Sequence, residues 1–161
     1  MQFYREAGFL VLGSRLRRIG DNFINDVNKT YAAHDIDFDA AWFPVFYILS
    51  NKKEVSIIEI ATDLNLSHSA VSQMVKNLSE KGLLKSRSSK VDARQKAISF
   101  TAKGSKLFLK IKPVWNALQQ AMEELFETKN KSNNMLQLLT DMEVNLNKES
   151  LYSRIENKLS Q

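Results

Sequence analysis

The sequence predicts a mainly α-helical chain with one small β-hairpin, and three observations predict it. Apolar residues recur at steps of three and four through the first and last thirds of the chain. Two helix-start signals follow each other closely, at Ser56 and Ser67. Two short runs with strand character then flank a polar stretch, "SSKVDAR". With 161 residues, 43% of them hydrophobic, the chain suits one modest domain or a small module carried on helical arms. It has no cysteine, which removes disulfides, thiolate nucleophiles and thiolate metal sites together. No run approaches the roughly 20 apolar residues that span a bilayer, and the N-terminus lacks a secretory cleavage pattern. The expectation is a soluble, cytoplasmic protein with no membrane partner.

The first arm is set by Phe9, Leu12, Leu16, Ile19 and Phe23, which predict an amphipathic helix running to about Tyr31. "HDIDFD", residues 34–39, groups one His with three Asp but lacks the glycine turn and closing Glu of a calcium loop. It reads as a capped loop between helices, and no metal or cofactor is expected. In "AWFPVFYILS" the next helix is capped by Asp39 or a residue before it, with Pro44 in its first turns. Near the other end Leu107, Ile111, Val114, Leu118, Ala121 and Leu125 form a heptad seam, with Pro113 inside it predicting a kink or a fresh helix start near Lys112. A last helix is marked by Met135, Leu138, Leu139, Met142 and Leu146 and continues toward Leu151, Ile155 and Leu159. Helices this long in so short a chain need a second copy to bury their stripes, so a symmetric homodimer is expected.

Between the arms the punctuation is finer. Ser56 with Glu59 three residues on is a capping box, flanked by Val55 and Ile60 at the positions of a hydrophobic staple. Ile57, Ile60, Ala61 and Leu64 share one face of the resulting helix, and Asn65 suits the left-handed turn after it. Ser67 caps a second helix whose Ala70, Val71, Met74, Val75 and Leu78 fill one side, and Gly82 stops it. Two short helices joined this tightly make a helix-turn-helix. At about 100° per residue, Ser69, Ser72, Gln73 and Lys76 point away from the buried side, with Ser67 and His68 in the first turn. Such side chains donate to base edges and phosphates, and the helix N-terminus offers free N–H groups to a phosphate. An ordinary solvated face is the competing reading.

Residues 83–88 and 96–101 then read as two strands, the second alternating Ala97 and Ser99 against Ile98 and Phe100. The loop between them would be a wing, with Arg94 at its tip reaching a minor groove and Asp92 holding the guanidinium. Charge follows the same division: residues 1–50 total −1, residues 51–104 total +5 and residues 105–161 total +1. A basic middle third favours a polyanionic partner, because neutralising phosphates releases condensed counterions.

The segment "LNLSHSAVSQMVKNLSEKGLLKSRSSKVDARQKAISFTAKG" resembles the winged helix-turn-helix core of the MarR family of bacterial transcriptional regulators. Ser69, Val71, Ser72, Val75, Leu78, Gly82 and Leu83 match the recognition-helix pattern S-x-V-S-x-x-V-x-x-L-x-x-x-G-L. Asp92 and Arg94 match the D-x-R of the wing, and Thr101 and Gly104 the following L-T-x-x-G, with Phe100 in place of the leucine. The resemblance implies a homodimer on a pseudo-palindromic double-stranded operator, usually as a repressor. Ser67, His68, Ser69, Ser72, Gln73, Lys76, Arg87, Lys90, Asp92 and Arg94 would form its DNA-binding set. It also implies one MarR-like domain over 1–161, with helical arms at 1–35 and 105–161 and the DNA-binding lobe at 36–104. Many relatives bind a small aromatic acid or other anionic effector between arms and lobe. Arg15, Trp42, Phe46 and Tyr47 are the candidates here, although an aromatic stripe at helical spacing is more often core.

Enzymatic chemistry has no foothold. Ser67 beside His68 diverges from it by about 100° on a helix, and no glycine-rich phosphate loop occurs. The alternative to a regulator is a dimeric ligand-binding or protein-interaction module of the same fold without specific DNA binding.

Overall fold

The computed structural model describes residues 2–88, 96–126 and 129–160. The chain divides into two compact units, Met1–Trp115 and Asn116–Gln161.

The first unit opens with α1 (Gln2–Ala7), a 3₁₀ turn (Gly8–Val11) and α2 (Leu12–Ala33). The helix expected from Phe9 therefore begins earlier and is interrupted, because Gly8 adopts a φ of +54° that a right-handed helix cannot contain. α2 ends on Asp35 at φ +53°, where Ile36 N donates to Tyr31 O at 2.9 Å and Asp35 N to Ala32 O at 3.2 Å. The loop closes as read: Asp39 Oδ1 accepts from Ala41 N at 2.8 Å to cap a 3₁₀ turn, Ala40–Trp42. α3 (Phe43–Asn51) follows with Pro44 in its first turn, where a missing N–H costs nothing.

Then come β1 (Val55–Ser56), α4 (Ile57–Leu64), α5 (His68–Glu80), β2 (Leu84–Ser88), β3 (Lys96–Phe100) and α6 (Ala102–Glu124). The two expected strands pair antiparallel, from Leu84 opposite Phe100 to Ser88 opposite Lys96. The sequence reading did not anticipate β1, which pairs Val55 with Ile98 and makes β3 the central strand of a three-stranded sheet. For that reason the alternation expected along β3 does not give one wet face. Ala97, Ile98 and Ser99 are all buried.

Tyr31, Phe46, Ile60, Leu78, Ile98 and Ile111 are fully buried, one each from α2, α3, α4, α5, β3 and α6. Each such apolar side chain stabilises the fold by about 1.5–3 kcal/mol relative to exposure. Phe38 sits edge-on to Tyr31, Trp42 and Phe46, with ring centroids 4.8–5.5 Å apart. Trp115 Nε1 donates to Tyr31 Oη at 2.9 Å, joining α6 to α2. Burial pushes the Tyr31 phenol above its ordinary pKa, and the Trp115 N–H partly offsets this by favouring the phenolate.

α6 runs through Pro113 without restarting, so the fresh start expected near Lys112 does not occur. Of the heptad seam in this unit, Ile111 is buried and Leu107 and Val114 pack partly buried against the core.

In the second unit, α7 (Lys129–Lys148) and α8 (Leu151–Leu159) replace the single continuous helix expected there. Ser150 breaks it: its Oγ accepts from Ser153 N at 3.1 Å and starts α8. Arg154 reaches back to the end of α7, donating to Asn145 O at 3.0 Å and to Glu149 O at 3.1 Å.

Candidate nucleic-acid interface

The candidate interface centres on the turn between α4 and α5. Ser56 Oγ accepts from Glu59 N at 3.1 Å while Glu59 Oε2 accepts from Ser56 N at 2.7 Å, so the capping box closes in both directions. Those bonds from Ser56 hold the Glu59 carboxyl below its ordinary pKa. Val55 and Ile60, the staple positions, are both buried in the core.

α4 stops at Asn65, whose φ of +50° turns the chain left-handed and lets Leu66 N donate back to Ala61 O at 3.0 Å. Two residues later Ser67 Oγ accepts from Ala70 N at 3.2 Å and opens α5. The same device ends α5: Gly82 takes φ +72°, Gly82 N donates to Ser79 O at 2.8 Å and Leu83 N to Leu78 O at 2.9 Å.

Val71, Val75 and Leu78 anchor the inner side of α5 and Met74 packs against the same core. Ala70, expected among them, is exposed; it lies about 100° round the helix from Val71, beyond the edge of the core. On the outer side Ser69, Gln73 and Lys76 are exposed and Ser72 is half-buried, while Ser67 and His68 are exposed in the first turn. Gln73 Nε2 donates to Asn77 Oδ1 at 2.7 Å, leaving the Gln73 carbonyl and second N–H for other partners. Asn77 was missed by the sequence reading, although its place four residues after Gln73 was the available signal. Ser67 and Ser69 hydroxyls lie 3.0 Å apart, and Lys76 Nζ stands 3.9 Å from Glu80 in a loose exposed pair.

β2 and β3 carry the hairpin. Arg87 on β2 is ion-paired with Glu54 just before β1, both partly exposed. Lys90, Asp92 and Arg94 lie outside the described residues.

The hairpin is tied to α6 by the T-x-x-G pair. Thr101 Oγ1 accepts from Gly104 N at 3.0 Å, capping α6, and donates to Gly82 O at 2.7 Å. Leu83 O accepts from Thr101 N at 3.0 Å. A Cβ on Gly104 would stand 2.1 Å from that oxygen, so only glycine allows this approach.

The four residues considered for an effector are placed differently from one another. Phe46 is fully buried against Phe38 and Phe100, and Trp42 packs on Phe38 beneath Lys81. Tyr47 is 52% exposed and stacks on Phe43. Arg15 stands over the Tyr4 ring at 5.2 Å, beside Arg18 at 4.9 Å.

A family model described as "MarR family" matches residues 36–95, the stretch that holds α3, α4, α5 and β2. Over this stretch the chain is similar to the MarR family. Members of the family are transcription regulators, not enzymes. Among solved structures, MepR of S. aureus bound to DNA superposes with a TM-score of 0.73 at 20% identity, covering 84% of this chain and 98% of that one. A mutant MarR from E. coli in complex with operator DNA gives 0.72 at 18% identity, over 84% and 96%. BpsR of Bordetella bronchiseptica, whose DNA binding is regulated by 6-hydroxynicotinic acid, gives 0.70 at 20%, over 82% and 92%. A search of curated protein sequences finds no match. At these identities the likeness is one of fold, a MarR-type winged helix. Among the described residues no helix is long and apolar enough to cross a membrane, and no group of acidic or histidine side chains is placed to hold a metal.

Proposed function

We propose that this chain is a sequence-specific transcriptional regulator of the bacterial cytoplasm, a homodimer that represses from a pseudo-palindromic operator until a small aromatic or anionic molecule releases it. The observation that carries the reading is the outer side of α5, where Ser69, Gln73 and Lys76 stand exposed beside a capped N-terminus while Val71, Val75 and Leu78 hold the helix rigidly from behind. A helix fixed on one side and furnished with donors on the other is suited to a major groove. Ser67, His68, Ser72, Arg87 and Lys90 would add backbone contacts, and Arg94 supported by Asp92 would enter the adjoining minor groove. MepR and MarR, which share the fold, were solved on DNA, and BpsR supplies an example of DNA binding regulated by 6-hydroxynicotinic acid. Division into helical arms at 1–35 and 105–161 around a lobe at 36–104 belongs to the same proposal. Large apolar side chains exposed on those arms, Phe9 and Leu10 near the N-terminus and Leu138, Leu151 and Leu159 near the other end, support a second copy as their cover.

The test begins with selection of bound fragments from the source genome, followed by titration of the selected duplex and of a scrambled one across a salt series. The selected duplex should bind at least a thousand-fold tighter, about the lower end for specific recognition. Lys76→Ala should weaken it and flatten the salt slope by about one. Sedimentation should give twice the 18.4 kDa of one chain. Equal, feeble binding of both duplexes would leave an interaction module of this fold instead, and a monomer would remove the geometry of two half-sites.

A further inference from the structure

At the far end of α5 from its capped N-terminus lies a cleft of about 360 Å³ onto which four lysines converge: Lys81, Lys103, Lys106 and Lys110. The last three stand on one flank of α6 at spacings of three and four, with Lys81 facing them from the end of α5. Like charges at such spacings repel one another, so the fold gains nothing from this arrangement by itself.

Five other exposed cations of the first unit are paired, Arg17 with Asp21, Lys29 with Asp26, Lys52 with Asp63, Lys76 with Glu80 and Arg87 with Glu54, while among the described residues Lys53, Lys85, Lys96 and Lys112 stand exposed singly rather than gathered on a cleft. Among the described residues, none of the four cleft lysines has a carboxylate within ion-pair distance, and Asp37 is the one acid in the lining.

Two of the four are held in place. Lys103 Nζ donates to Lys81 O at 2.8 Å, closing the C-terminal end of α5, and Lys81 Nζ lies 5.1 Å from the centre of the Trp42 ring. Leu83 and Leu107 give the cleft an apolar wall between the ammonium groups. The volume is near the lower end of the roughly 300–1,000 Å³ typical of small-molecule sites.

We propose that this cleft binds a small polyanion, a molecule bearing two or three carboxylate or phosphate groups, with Lys106 and Lys110 gripping it and Lys81 and Lys103 completing the charge. A DNA phosphate is a poorer occupant. Lys81 is about 18 Å along the α5 axis from Ser69 at roughly 1.5 Å per residue, and a concave site between two helices suits a small molecule better than a duplex edge. The inference does not depend on DNA binding.

Calorimetric titration of the full chain with citrate and with pyrophosphate, at constant ionic strength, tests it. At least one should bind saturably at one site per chain; heat with citrate alone assigns carboxylates, and heat with pyrophosphate alone assigns phosphates. Lys106→Gln combined with Lys110→Gln should weaken that binding tenfold or more, since both side chains are exposed and neither makes a hydrogen bond that the fold uses. Lys52→Gln, outside the cleft, should leave it unchanged. Absence of saturable heat from both anions, the same heat from sodium chloride, or unchanged affinity in the double variant overturns the proposal. So does a double variant that loses duplex DNA affinity with a salt slope flattened by about two while neither anion gives heat, because the lysines would then be DNA contacts.

Discussion

Gly104→Ala tests the close approach of α6 to the backbone of Leu83. The added Cβ would lie 2.1 Å from Leu83 O, 3.0 Å from Leu83 C and 3.1 Å from Phe100 Cδ1, and real Cβ contacts essentially never fall under 3.0 Å. Something must therefore move by about 0.9 Å. The obstructing atom is a backbone oxygen that accepts from Thr101 N, so it cannot rotate aside as a side chain would. Overpacking of this kind costs about 3 kcal/mol, the upper part of the usual range. Weakening the Thr101 N bond adds about 1 kcal/mol. Replacing a helical glycine by alanine returns about 1 kcal/mol. The net loss is about 3 kcal/mol, which for a chain of this length lowers the thermal midpoint by about 6–12 °C.

Circular-dichroism melts and urea titrations at one fixed protein concentration provide the assay, since the midpoint of a self-associating chain depends on concentration. Gly20→Ala is the control: nothing lies within 4 Å of its added Cβ, so stability should rise by about 0.5–1 kcal/mol. A Gly104→Ala protein within 0.5 kcal/mol of the parent, roughly the noise of such comparisons, would show that α6 does not depend on the close approach to Leu83.

Other consequences are simpler to state. Ser56→Ala removes the acceptor for Glu59 N and should cost about 1 kcal/mol in urea titrations, with Ser56→Thr restoring most of it. Because Glu59 titrates below its ordinary value in the folded chain, its contribution is complete above the unfolded pKa and fades as pH falls through the folded one. Glu59→Gln should therefore flatten the stability profile below about pH 4.5 and leave its slope near neutrality unchanged. Trp115→Phe strips the buried Tyr31 hydroxyl of its donor and should cost about 1–2 kcal/mol; adding Tyr31→Phe should cost less than the sum of the two single changes, and strict additivity would argue against the bond.

The helix-turn-helix was legible because its boundaries are written in local chemistry. Ser56 with Glu59, Asn65, Ser67 and Gly82 each satisfy a specific orphaned backbone group, and all act where their types predict. Features that depend on distant partners were not legible. β1 is two residues long, and its Ser56 already served as a cap, so only Ile98 and Ala97 across the sheet reveal it as a strand. Ala70 fits the apolar pattern yet lies beyond the core's edge, a matter of where α5 is laid down rather than of its own sequence. The break at Ser150 had a visible cap, but a strong apolar period running across it favoured continuity. The lysines of α6 could be counted in the sequence, whereas the approach of Lys81 to them is purely tertiary.

The Thr101 and Gly104 knot also has a mechanical meaning. One hydroxyl grips the carbonyl that ends α5 and caps the first turn of α6, while a missing methyl lets the two backbones touch. The end of α5 and the start of α6 thus share a single tight junction. A change that displaced Leu83 would therefore disturb both helices at once, since its N–H closes α5 on Leu78 O and its carbonyl holds Thr101 N at the start of α6.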